Sequence, residues 1–462
     1  MSESKEFEEA IATRFLAPLR RAATRRVGIE LELPIWNRKV AATDFEEVHA
    51  GVMTFLSYFP FTETSRDDAG AIYRARDPST GDELSFDCSF NTLEFSFSPE
   101  EDIGKVELRF LRYYPVLQSA LVHRGHALTG MGINPRWREN RVTPIENGRY
   151  RMLLHHLKSY SKYGGAARFH DHPDFGLFSC SSQIQLDVDE SNVVKAINVF
   201  NGLEPFKAIL FANSPFGDGG ELLCGRDALW SQSLHGLNPH NCGMYSVVLR
   251  SLDDIVGYLE STSLYCVERG EKYLNFAPLP LRDYARRAEV AAEYYEPATG
   301  TYASYSLVPS PEDVRWLRPF KFEDLTQRGT LEFRSVCAQP VREAFVPAAF
   351  HVGLMEELPA LVDFIQEDHS LYGHGFGAAE LRALLVRRDW PSFIGRTALT
   401  AQLQTLIDIA ERGLVRRGLG EERYLNPLRR RAETLRNPAR DQLDRLSSGE
   451  SVDQIAEDYG SL

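Results

Sequence analysis

Several large classes are excluded by what the chain lacks. Its six cysteines, Cys88, Cys180, Cys224, Cys242, Cys266 and Cys337, stand singly, with no CxxC and no close Cys/His cluster. That spacing argues against a structural zinc site or a disulfide framework and leaves core thiols as the default. No segment approaches about eighteen uncharged apolar residues, so no membrane-spanning helix is expected. The opening "MSESKEFEEA" carries charge where a signal peptide needs an apolar run, which gives a cytoplasmic location as the expectation. Positive charge is in deficit: 52 Lys and Arg against 65 Asp and Glu, net -13. Such a surface repels nucleic acid and anionic membranes over long range, so neither is an expected partner. GxxxxGK[ST], a GxGxxG after a strand and GxSxG are all absent. A P-loop, a Rossmann fingerprint and a hydrolase elbow are therefore excluded.

What is present is a set of short apolar strands interrupted by acids and amides. In "VGIELEL", Val27 to Leu33, a period of two puts Glu30 and Glu32 on one face and Val27, Ile29, Leu31 and Leu33 on the other. The pattern recurs as Glu94 in "NTLEF", as Gln183, Gln185 and Asp187 in "SQIQLDV", and as Glu332 and Arg334 in "GTLEFRSV". One such strand fits an exposed face, but four in one chain predict a polar, concave sheet face, a standard place for a site. "LSFDCSFNTLEFSFSP" predicts a hairpin turning near Asn91 that presents Asp87 and Glu94 among apolar neighbours.

Other segments fill in the architecture. A helix is expected over about 5–24, a long one through "DIGKVELRFLRYYPVLQSALVHRGHAL", a strand at "TGMGINP", a helix broken near Gly202 and Pro205, a strand at "GMYSVVLR", and mostly helix from about Ala344. The fold class is α+β: a largely antiparallel sheet with helices packed on one side and a helical C-terminal region. The expected division is a catalytic domain over 1–340 and a helical region over 341–462 packed on it.

Glu30, Glu32, Glu94 and Glu332, with Gln183, offer the hard oxygen ligands that magnesium accepts. Glu332 and Arg334 set a ligand and a guanidinium two residues apart on one face, suited to a carboxylate or a transferring phosphoryl group. Arg226 and Trp230, four apart in "GRDALW", can share a helical face. His155 and His156 and the "HDH" loop, His170 to His172, read as structural histidines, while "YGHGFG", Tyr372 to Gly377, fits a phosphate contact through flexible backbone and a plain turn equally.

These strands, with "ILFANSPF" about two dozen residues after "QIQLD", resemble the glutamate-cysteine ligase family of plants and bacteria over roughly Val27 to Pro340. The resemblance implies a curved sheet forming a funnel like that of glutamine synthetase, and an ATP- and magnesium-dependent ligation of glutamate to cysteine through a glutamyl phosphate. It assigns metal and nucleotide phosphates to Glu30, Glu32, Glu94, Gln183 and Glu332, with Gln185 beside them. It gives the acyl phosphate or glutamate carboxylate to Arg334, which with Glu332 and Glu30 makes the expected catalytic set, and it places Arg226 and Trp230, with Gln183 and Gln185, among the cofactor-binding residues, contacting substrate or shaping its pocket. "SVCAQP" after the late strand departs from the family pattern, so a different amine or carboxylate remains the alternative. The expected partners are small amino-acid substrates, and the oligomeric state is left open.

Overall fold

The computed structural model describes residues 3–163, 169–217, 219–367 and 371–462. Its centre is a nine-stranded sheet. Across it run Glu323–Leu325, Thr330–Phe333, Ser182–Asp187, Val27–Asn37, Thr92–Glu100, Glu83–Phe86, Ile72–Arg76 and Thr62–Arg66, with His126–Leu128 on the end of the Val27–Asn37 strand. Every pairing in this sheet is antiparallel. The α+β expectation holds.

Alternation sorts the two faces. Ile29, Leu31, Leu33, Phe95, Ile184, Leu331 and Phe333 are buried in one core with the helices Ile103–Val122, Val193–Phe211 and Val346–Glu356. Each such side chain contributes about 1.5–3 kcal/mol when fully buried. The other face carries the acids and amides. Because register fixes which side chains meet, a one-residue slip would drive these charges into the core.

Helices from Val346 onward form the C-terminal part. Val346–Glu356 crosses Arg396–Arg417 closely: a Cβ on Gly353 would lie 2.2 Å from the Ala410 carbonyl oxygen, and one on Gly413 would lie 2.1 Å from that of Gly353. A separate four-stranded sheet spans Ser263–Arg269, Lys272–Pro280, Val290–Glu296 and Thr301–Leu307. Among the described residues no single helix is long and apolar enough to cross a membrane.

Four local expectations are corrected. The first helix ends at Ile11 and continues only as tighter and wider turns to Arg20, with Pro18 at the change. The strand expected at "TGMGINP" lies upstream, at His126–Leu128, where the edge of Val27–Asn37 is available to pair. Val193–Phe211 runs unbroken through Gly202 and Pro205, because packing overrides propensity: Gly202 sits against Ile365, and the Tyr372 hydroxyl donates to its carbonyl. "GMYSVVLR" is strand only at its first residue, in Cys242–Gly243, which pairs with Phe320–Lys321; Val247 and Val248 are exposed and no strand pairs with them among the described residues.

Candidate active site

Sheet register assembles the site in rows. Glu30 stands opposite Gln183 on one side and Ser96 on the other; Glu32 stands opposite Glu94; Glu332 lies between Gln185 and Asp324. Gly28 faces Gln185, and a Cβ there would lie 3.3 Å from the Gln185 Cβ, so glycine leaves the amide room. Gln185 is held at both ends: its Nε2 donates to Glu30 at 2.7 Å, and its Oε1 accepts from Arg328 at 2.5 Å.

These residues line one cavity of about 670 Å³. Glu30, Glu32, Glu94, Gln183, Gln185, Arg226, Trp230, Glu332 and Arg334 all border it, so the structure brings every sequence-derived candidate together. It groups them differently from the expectation, however. The carboxylate oxygens of Glu32, Asp87 and Glu94 lie within 4.8 Å of one another, a spacing suited to a shared cation. Glu30 and Glu332 stand outside that group, the first bonded to Gln185 and the second to Arg334.

Asp87 is the residue that sequence reasoning left out of the ligand set. It enters the site by strand parity, since Glu83, Ser85 and Asp87 all line the cavity, and Cys88 beside it, in the hairpin turn, has φ 58. A side chain in this left-handed region costs roughly 1–2 kcal/mol. Strain of this kind clusters at functional sites.

The electrostatics follow from enclosure. Burial, then Glu332, pushes the Glu30 carboxyl up to about 8. Burial, then Asp87, pushes Glu32 up to about 7. Burial, followed by Glu30 and Asp87, holds Glu94 well above the carboxylate range. The donor set fits a hard divalent ion: three carboxylates at metal spacing, and Gln183, whose Nε2 donates to Glu32 at 2.6 Å while its buried Oε1 has no partner among the described residues.

A pH dependence follows. The raised values mean that protonated Glu30 and Glu32 contribute stability below about pH 4.5, and that this contribution is lost as pH rises through about 7 and 8. A cation binding these oxygens displaces the protons. Magnesium binding near pH 7 is therefore expected to release protons, with the release fading above about pH 9, as read by calorimetry in buffers of different ionisation enthalpy. Proton uptake near pH 7 would contradict the arrangement.

Opposite the acids stand cations. Arg334 Nη2 is 3.2 Å from Glu332 Oε2, and its Nε is 3.7 Å from Asp324 Oδ2. Burial opposes its charge, but Glu332 and Asp324 outweigh this and raise its pKa. Arg226 is buried, its Nη1 donating to the Val336 carbonyl at 3.4 Å. The Trp230 ring stacks on Phe320 with centroids 4.4 Å apart. Arg149, Arg318 and Arg328 also border the cavity, and sequence reasoning missed them; only tertiary packing brings the first two to this sheet. None of His155, His156, His170 and His172 borders the cavity. His156 is buried and stacks on Tyr265, while His170 Nε2 lies 2.7 Å from the Leu229 carbonyl oxygen. The Tyr372–Gly377 turn does not border the cavity.

Acids ready for a divalent cation, beside guanidiniums ready for carboxylate or phosphoryl oxygens, suit a reaction in which a nucleotide activates a carboxylate for attack by an amine. That is the chemistry of ATP-dependent carboxylate-amine ligases, the class to which this chain is assigned. The sequence profile of glutamate-cysteine ligase family 2 (GCS2) matches residues 26–458, and the chain belongs to that family.

Similar proteins include the chloroplastic glutamate-cysteine ligases of Nicotiana tabacum, 23% identical over 79% of this chain and 67% of the relative, and of Solanum lycopersicum, 24% identical over 79% and 66%. The chain thus spans about two thirds of these relatives' length. Among solved structures, a glutamate-cysteine ligase from Francisella tularensis in complex with AMP is 12% identical, with TM-score 0.46, covering 94% of this chain and 88% of that one. A bifunctional glutathione synthetase from Pasteurella multocida is 10% identical, with TM-score 0.45, covering 100% and 54%. The expected cytoplasmic location is corrected by these relatives. Those from Nicotiana, Solanum and Arabidopsis are named as chloroplastic, so a charged opening segment and the lack of a long apolar run do not establish the cytoplasm for such a chain.

Proposed function

We propose that the protein is a glutamate-cysteine ligase that forms γ-glutamylcysteine from glutamate, cysteine and ATP through a γ-glutamyl phosphate. The observation that carries this reading is the shared cavity in which the Glu32, Asp87 and Glu94 oxygens face Arg226 and Arg334. Relatives named as glutamate-cysteine ligases support the choice of substrates.

In this reading Glu32, Asp87, Glu94 and Gln183 would hold magnesium, with Glu30 and Glu332 beside them. The ion supplies charge neutralisation for the nucleotide phosphates, which have no P-loop lysine. Arg334, steered by Glu332 and Asp324, points its guanidinium at the γ-carboxylate and the phosphoryl group it receives. A carboxylate oxygen attacks the terminal phosphorus and expels ADP. The amine then attacks the acyl carbon and expels phosphate. Arg226 binds substrate oxygens, and Trp230 on Phe320 closes an apolar wall that keeps water from the acyl phosphate. Gln185, pinned between Glu30 and Arg328, keeps that side of the site rigid. Residues 1–340 carry the chemistry, and 341–462 brace it.

Phosphate release is expected only when a carboxylate substrate and an amine are both present, because net flux needs the attacking amine. With glutamate fixed and amino acids varied, cysteine is expected to give the highest kcat/KM. Turnover with a different amine alone would overturn the cysteine assignment while leaving the ligase class. No amide product with any acceptor would overturn the proposed function.

A further inference from the structure

Arg382, on the helix Ala378–Leu385, is buried. Its Nε and Nη2 donate to the two carboxylate oxygens of Asp227 at 2.7 and 3.0 Å. Its Nη1 donates to Glu204 Oε2 at 2.5 Å and to the Glu204 carbonyl at 2.8 Å. Glu204 also accepts from Lys207 and, at 2.8 Å, from the Ser335 hydroxyl. Burial opposes the Glu204 charge, but Lys207 and Arg382 outweigh it and hold the carboxyl down to about 2, so these ion pairs persist across the working pH range.

Asp227 follows Arg226 in the chain and Ser335 follows Arg334. The two guanidiniums assigned to substrate oxygens are thus each one residue from a member of this cluster, whose central cation comes from the C-terminal helices. Asp227 itself borders the cavity with Arg226. Released from the Arg382 fork, its carboxylate is free to turn and neutralise a site cation. A buried ion cluster is weak evidence for stability, since desolvation offsets much of its attraction. Its placement here gives it another use.

We propose that Arg382 is a positioning residue of the site: it holds Asp227 and Glu204 so that Arg226 and Arg334 keep their place and Asp227 is withheld from them. This rests on the assignment of Arg226 and Arg334 to substrate oxygens.

Arg382→Lys keeps the charge, but an ammonium cannot span two carboxylates and a carbonyl as the planar fork does. In the folded variant, amide hydrogen exchange over 224–233 and 334–338 is expected to quicken by about tenfold or more while the 27–33 strand keeps its protection. KM for glutamate is expected to rise about tenfold, with a smaller change in kcat. Adding Asp227→Asn to Arg382→Lys should recover most of the KM, because an amide has no charge to set against Arg226. Unchanged exchange in both segments, an unchanged KM, or a double variant no better than the single one would overturn the proposal. Should Arg382→Lys fail to fold, Ser335→Ala, which leaves the ion pairs intact, is expected to quicken exchange at 334–338 alone; no change there would overturn it. If the parent protein forms no amide from glutamate and cysteine, the proposed function fails, while the exchange comparison still decides the positioning role.

Discussion

Asp87→Asn is expected to leave a folded protein whose ADP release falls by about a hundred- to a thousandfold, the scale of removing one preorganised electrostatic contact. Three carboxylates with oxygens within 4.8 Å of one another repel when ionised, and burial adds to the cost. A cation repays that cost only while all three ligands are present. Removing one charge therefore damages the site while relieving the fold, and the metal-free variant should melt at or above the parent temperature. If Asp87 serves only the hairpin turn at Cys88, the variant will instead melt lower and each folded molecule will turn over normally. Melting curves without magnesium, beside rates at saturating magnesium, separate the two.

Glu332→Gln is the second large effect expected. Glu332 is nearly enclosed, and its Oε2 meets Arg334 at 3.2 Å. Were the pair structural, breaking it would cost about 3–5 kcal/mol of stability through an uncompensated buried charge. Arg334, however, keeps Asp324 at 3.7 Å, and Glu30 is pushed up partly by Glu332. The charge lost at Glu332 thus has a substitute, and its removal relaxes Glu30. Stability is expected to change by less than about 1 kcal/mol, while kcat falls about a hundredfold or more as Arg334 loses its aim. A large melting shift with kcat preserved in the folded fraction would assign the pair to stability instead.

The polar face of the sheet was legible because a strand has a period of two and the acids sat on one parity in four separate strands. Register then had little freedom, since a one-residue slip would turn Glu30, Glu32 and Glu332 into the apolar core. Asp87 escaped selection as a ligand although its hairpin was recognised. It shares the parity of Glu83 and Ser85, which also line the cavity, but it lies one residue beyond the Glu83–Phe86 strand, where the turn begins, so alternation within the strand did not mark it. Arg149 and Arg318 sit where no local period distinguishes them from solvent-facing arginines. The same holds for Arg382: the C-terminal part reads only as mostly helical, yet this side chain lies in an ion cluster built from segments far apart in the chain. Gly202 and Pro205 suggested a broken helix because local propensity ignores the unbroken burial of 203–211.

In the proposed ligase reaction one γ-carboxylate oxygen of glutamate bonds to phosphorus before cysteine attacks and leaves with phosphate when the amide forms. Glutamate labelled with ¹⁸O in its γ-carboxylate, incubated with cysteine, ATP, magnesium and the protein, tests it by mass spectrometry of both products. The expected result is one labelled oxygen in each phosphate released, matched one to one by γ-glutamylcysteine retaining the other. Unlabelled phosphate, or ADP formed without the amide, would contradict it.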